Sequence, residues 1–270
     1  MKITILSSVL FCGVLFLSFT NPKKQNQNDK EPVIFKNKAH ELVYKMVQKV
    51  GDIDKLKSKK DVVYTYTYQT PDGKADVSTE KYIFENELSY GAYKKHERTF
   101  PELEGTIEQG YNGQEFWLKH NGKVINDKKR LKRVQFNRPT NFYWFAMLPK
   151  LLDPGVNYEL VENKEITNYD IVKVSFESEG DKPTDIYQLY INKETSLVDY
   201  FLFTVADFGV IKTPLLMQVE YEKIEDLLIP TKRKYKKSTW QASVDDKPWI
   251  HVNWTNIKFN NNLTLEDFKK

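Results

Sequence analysis

Hydrophobic and polar positions along this chain follow two periods, and the switches between them mark out the elements. Ala39, Leu42, Val43, Met46 and Val50 recur at helical spacing and Gly51 closes the run, so an amphipathic helix is expected over 36–50. From residue 61 the period drops to two. In "DVVYTYTYQ", Val62, Tyr64, Tyr66 and Tyr68 share one face while Val63, Thr65 and Thr67 take the other, all residue types that a strand favours. "TPDGK" at 70–74 reads as a turn, and a second strand passes through 82–84. Asn112-Gly113 and Asn121-Gly122 bracket "QEFWLKH", where Phe116 and Leu118 oppose Trp117, a double-hairpin signal. Further strands are expected over 157–162, 170–177, 185–192, 198–205, 215–225, 231–240 and 249–259. In the last of these, Ile250, Val252 and Trp254 share a face while Ile257 and Phe259 fall out of phase, which predicts a bulge near Thr255.

A second helical signal covers 127–152. Asp127 opens a short basic helix, the pattern breaks near Asn137-Arg138-Pro139, and Thr140 stands as the N-cap of a new segment that is apolar nearly all round. Pro149 and then Asp153-Pro154-Gly155 limit that segment to about three turns. Such a helix is either plain core or a lid over the mouth of a sheet.

About ten or eleven strands against two helical regions give a mainly β, α+β chain built on one large antiparallel sheet. Open twisted sheets rarely pass about ten strands without curling or splitting, so this one is expected to curl into a half-open barrel. Its concave side then needs an apolar filling of side chains, helices or a ligand. A two-sheet sandwich shows the same alternation. No repeat of propeller or solenoid length is present.

The N-terminus changes the expected compartment. Lys2 precedes a mostly apolar stretch from Ile3 to Phe19, and residues 1–20 read as a secretory signal peptide cut near Asn21. An uncleaved anchor is the alternative, although a spanning helix needs about 20 apolar residues and this stretch is interrupted by Ser7, Ser8 and Gly13. Residues 21–32 are polar and form a flexible tether, leaving 33–270 as a single domain of an exported, periplasmic or outer-membrane-associated protein. Cys12 is the only cysteine, so the mature chain has no disulfide, thiol chemistry or cysteine-ligated metal and is held by its core.

Charge and motifs narrow the function. With 41 basic and 37 acidic residues the net charge is +4, too balanced to point to nucleic acid, although "KKRLKR" at 128 and "KRKYKK" at 232 concentrate positive charge locally. No phosphate-binding glycine loop is present, and Leu88-Ser89-Tyr90-Gly91 lacks the first glycine of a nucleophile elbow. His40, His96, His120 and His251 fall on separate elements without metal-ligand spacing, so neither a metal nor a cofactor is implied.

The order of helix, strands, "YNGQEFWLKHNGK", helical stretch, "DIYQLYINKETSLVDYFLFTVADFG" and closing "NIKFNNNLTLEDFKK" resembles the LolA/LolB-like superfamily of periplasmic lipoprotein carriers and receptors, including its uncharacterised exported bacterial branch. The points of resemblance are Asn-Gly-x-x-x-Trp ending at Trp117, the turn from Lys193 to Leu197, and the phrase from Phe259 to Phe268. The arginine on an early strand that holds the carriers' lid shut has no located counterpart. The resemblance implies a half-open barrel closed by helices, with an apolar cavity for acyl chains. A non-catalytic lipid carrier or receptor, acting as a monomer on lipid or acylated protein, is therefore expected. Its cavity or lid would use Tyr64, Tyr66, Trp117, Phe142, Trp144, Phe145 and Leu148, and Lys128, Lys129, Arg130, Lys132 and Arg133 would meet an anionic membrane surface. The alternative is a carbohydrate-binding or glycan-processing envelope protein, with the Tyr64, Tyr66 and Tyr68 stripe stacking on sugar.

Overall fold

A computed structural model of the protein describes residues 33–178, 180 and 182–270; the expected signal peptide and tether lie outside them. The first helical repeat forms α1 (Lys38–Val50). The Asn37 side chain caps it by accepting from the His40 N–H, and the chain leaves at Gly51 with φ 110°. A short α2 (Ile53–Ser58) follows, capped by Asp52.

The alternating segments then form β1 (Asp61–Gln69), β2 (Ala75–Ile83), β3 (Leu88–His96), β4 (Ile107–Tyr111), β5 (Phe116–His120) and β6 (Lys123–Val124). After α3 (Lys128–Lys150) come β7 (Val156–Val161), β8 (Tyr169–Phe176), β9 (Ile186–Asn192), β10 (Val198–Val205), β11 (Val210–Ile224), β12 (Leu227–Lys237) and β13 (Ile250–Phe259). All thirteen strands belong to one antiparallel sheet in the order β6-β5-β4-β3-β2-β1-β13-β12-β11-β10-β9-β8-β7. The count exceeds the expected ten or eleven because strands as short as the two-residue β6 carry no readable alternation.

This order explains the length of α3. The chain starts at the centre of the sheet, winds out to the β6 edge, and must reach the far edge before winding back to pair β13 with β1. A helix of 23 residues spans roughly 34 Å at 1.5 Å per residue, enough to carry that crossing over the curled inner face. The expected break at Asn137-Arg138-Pro139 does not occur: α3 is continuous from its Asp127 cap, and Pro139 lies within it. Tertiary contacts override the local signal. Arg138 and Glu80 on β2 are both fully buried and paired at 2.8 Å, and Asn137 donates to Gln109 on β4, so the turn around Pro139 is fastened to the sheet. Here the arginine sits on the helix and the acid on the early strand.

Three apolar clusters fill the space between helices and sheet. One joins α1 and the end of α3 to β7–β11, a second joins Phe142 and Phe145 to Tyr64, Tyr82, Trp254 and Phe259, and a third packs Val134 on Tyr93, Ile107 and Leu118. The predicted phase change in β13 is a bulge. Val63 pairs with Lys258 but Thr65 with Thr255, and Asn256 takes φ 56°. The extra residue brings Phe259 back to the face of Trp254, and both enter the same cluster. Part of the outer face is also covered, by Trp240 and Trp249 over Tyr190, Leu202 and Leu216.

Candidate functional site

Strand register assembles the floor of a pocket beneath α3. Tyr68 pairs with Asp76 on one side and Val252 on the other, and Val252 pairs in turn with Arg233, giving one lateral row across β2, β1, β13 and β12. The next row along runs Tyr93, Ser78, Tyr66 and Trp254. With Phe203, Leu215, Met217 and Tyr235, these rows bound a pocket of about 340 Å³, to which all but Ser78 contribute lining. The roof is a single stripe of α3: Arg133, Phe136, Asn137, Thr140, Asn141 and Trp144 follow helical spacing and line the same space. On the other side of that stripe lies a second, more open space of about 420 Å³, bounded by Tyr143, Phe176, Asp185 and Tyr187 and sharing Phe136, Thr140, Trp144 and Val205 with the first.

The pocket wall is aromatic and its charge is uneven. Asp76, 1% exposed, is consumed: it accepts from the Arg98 N–H and guanidinium, the Thr99 N–H and the Thr99 hydroxyl. Arg98 also lies 3.5 Å over the Tyr68 ring, and Tyr68 shares a short hydroxyl contact with Tyr235. Arg233 is different. It is 4% exposed, donates through Nε to the Pro230 carbonyl and through Nη2 to the Trp144 carbonyl, and stacks 3.9 Å over Trp254 and 5.6 Å from Trp144. Among the described residues no carboxylate pairs with it. Burial pulls its pKa down to about 10, still well above neutrality, so the guanidinium keeps its charge. Burial pushes the Tyr93 phenol up to about 12 and raises those of Tyr66 and Tyr235 as well, so these hydroxyls remain neutral.

The residues singled out in the sequence separate into three groups. Tyr66 and Trp144 line the pocket. Tyr64, Phe142, Phe145 and Leu148 are sealed in the core, Tyr64 at 1% exposure with its hydroxyl against Tyr82. Trp117 is buried away from the pocket. Its Nε1 donates to the Phe268 carbonyl, and a Cβ on Gly110 would come within 2.5 Å of its ring, so it anchors the C-terminal turn against the sheet. The basic run divides as well. Lys128, Lys129 and Lys132 are exposed, Arg130 is tied to Glu102 at 3.2 Å, and Arg133 lies over Phe136 and Phe208 at the edge of the pocket.

Sequence reasoning missed Arg233, Tyr235, Trp254 and Arg98 as pocket residues, and named Tyr68 only within a sugar-stacking stripe. Arg233 and Tyr235 were detectable, because they alternate with Lys232 and Lys234 on the same strand. The basic composition of "KRKYKK" concealed that alternation.

No family model matches the chain, and no curated protein does. Among solved structures it is similar to a DUF1329 family protein from Desulfovibrio piger, at 12% identity and a TM-score of 0.48 over 86% of this chain and 97% of that one. It is also similar to the lipoprotein LppX of Mycobacterium tuberculosis, at 10% identity and a TM-score of 0.36 over 83% and 98%. LprF from Mycobacterium bovis aligns at 11% identity and a TM-score of 0.34 over 83% and 95%. At these values the function has to be read from the pocket itself.

Proposed function

We propose that this protein is a non-catalytic, exported lipid-binding protein that shelters the acyl part of an amphiphile between α3 and the inner face of the sheet. The supporting observation is the aromatic pocket roofed by one stripe of α3. Its volume of about 340 Å³ falls within the roughly 300–1,000 Å³ of small-molecule sites, and the adjoining space past Trp144 offers room for a longer tail. Each buried CH₂ contributes about 0.8 kcal/mol, so a twelve-carbon chain needs no reactive group to bind usefully. The one acid in the pocket is occupied by Arg98 and Thr99, which leaves it unsuited to proton transfer. Sugar stacking along the β1 stripe is disfavoured because two of its three tyrosines present no open ring face: Tyr64 is sealed, and Tyr68 is covered by Arg98. We take the exposed Lys128, Lys129 and Lys132, together with Phe208 at 55% exposure, as the region that meets an anionic membrane surface during transfer.

The test is organic extraction of the purified protein followed by mass spectrometry, paired with thermal melts in single-chain amphiphiles below their micelle concentration. An amphiphile recovered near equimolar ratio, and a Tm that rises with added ligand, are expected. An empty extract together with an unmoved Tm at saturating ligand, for monodisperse protein, refutes the reading.

A further inference from the structure

We propose that Arg233 is the anchor for an anionic head group, so that the pocket selects amphiphiles ending in a carboxylate or phosphate over neutral ones of the same length. The inference rests on the lipid-binding reading above and specifies its ligand. A guanidinium withdrawn from water is costly unless a negative charge or a full set of acceptors compensates it. Arg233 has neither: two backbone carbonyls engage Nε and Nη2, and Nη1 has no partner among the described residues. The Trp254 ring, 3.9 Å away, and the Trp144 ring, 5.6 Å away, pack against the planar fork and help fix it at the pocket wall. That arrangement suits bidentate recognition of a planar carboxylate or a phosphate.

The other pocket cations do not compete for this role. Arg98 is neutralised by Asp76, and Arg133 sits at the edge, spread over two phenylalanine rings. An incoming head group would therefore pass Arg133 and come to rest at Arg233, with its tail against Trp144, Phe203 and Met217.

The experiment compares dodecanoate, dodecyl phosphate and dodecanol, each below its aggregation limit, by tryptophan fluorescence titration of the parent, Arg233→Gln and Arg233→Lys. In the parent, at least one of the two anions should bind about tenfold or more tighter than dodecanol, charge-assisted hydrogen bonds being the difference. Which anion is favoured separates a fatty-acid-like ligand from a phospholipid-like one. In Arg233→Gln the preference should vanish while dodecanol affinity stays within about twofold, and Arg233→Lys should restore only part of it because a lysine lacks the planar fork. Equal binding of all three probes by the parent overturns the anchor but leaves the lipid-binding reading standing. Binding of none overturns both. An anion preference that survives in Arg233→Gln, with folding confirmed by circular dichroism, also overturns the anchor; should that variant fail to fold, the parent comparison and Arg233→Lys decide.

Discussion

At the scale of single residues, the fold is fixed by polar contacts placed where apolar ones would be expected. Glu80 accepts from Nη1 and Nη2 of Arg138 and from Ser78 and Tyr82, and Tyr82 in turn meets Tyr64, so a buried chain of hydrogen bonds joins β1 and β2 to the middle of α3. Gly91 on β3 makes room for it: a Cβ there would stand 2.7 Å from both Arg138 Nη1 and Glu80 Oε1. Removing one member leaves a charge stranded in the core, so Arg138→Met should cost about 3–5 kcal/mol in urea unfolding, whereas the double variant Glu80→Gln with Arg138→Met should recover much of that loss. Additive losses in the two would mean that the pair is not coupled. Gly91→Ala, which adds only a methyl group, is expected to destabilise as well, because the atoms it meets are fixed by the ion pair rather than free to swing away. None of this was readable in the sequence. Glu80 and Arg138 lie 58 positions apart, and each looks like an ordinary surface residue of its own element. The alternation of Val62, Tyr64, Tyr66 and Tyr68, by contrast, was visible because it repeats along one strand.

At the scale of elements, strand identity was legible and helix continuity was not. Of the seven strands expected after residue 156, five appear within a residue of the expected bounds, since each has enough alternating residues to declare its faces and a turn to end it, while β11 and β12 begin five and four residues earlier than expected. Even the bulge in β13 was written in the phase of its aromatic residues. The sequence pattern reads as two helices because Asn137-Arg138-Pro139 joins a weak helix former, Asn137, to a proline that cannot donate to the turn before it. That local preference was outweighed by the clamp to β2 and β4. A consequence can be measured. If the clamp holds a continuous helix against the local preference, Pro139→Ala, at an exposed position, should restore a backbone donor and raise stability by about 1–3 kcal/mol, less the entropy proline removes from the unfolded chain. A loss of stability or a change in helix content by circular dichroism would show that proline supports a bend which the protein needs.

At the scale of the whole molecule, topology and charge decide what the pocket can be offered. The sheet begins and ends on the edge strands β6 and β7, and α3 spans between them, so its basic N-terminal turns stand at one end of the crossing and its apolar C-terminal turns are locked into the core at the other. Only the first end is free to meet a partner. Of the five cations expected from sequence to do so, Arg130 is engaged by Glu102 and Arg133 by its rings, which leaves Lys128, Lys129 and Lys132. Phe208, exposed beside Arg133 and 4.6 Å from Phe136, supplies an apolar contact near the pocket edge. An anionic bilayer attracts each such cation by about 1 kcal/mol at low salt, so replacing all three lysines with glutamine should lower the partition onto phosphatidylglycerol vesicles by about 100-fold. Stability should be unchanged, because none of the three side chains is buried. Phe208→Ser should weaken partition at high salt as much as at low salt, since apolar burial is not screened by ions, while the lysine effect should fade as the Debye length falls to about 3 Å near 1 M. Co-sedimentation of both variants and the parent with vesicles, across that range of salt, distinguishes the two contributions. A parent that stays in the supernatant with anionic vesicles at low salt would place delivery on a protein partner instead.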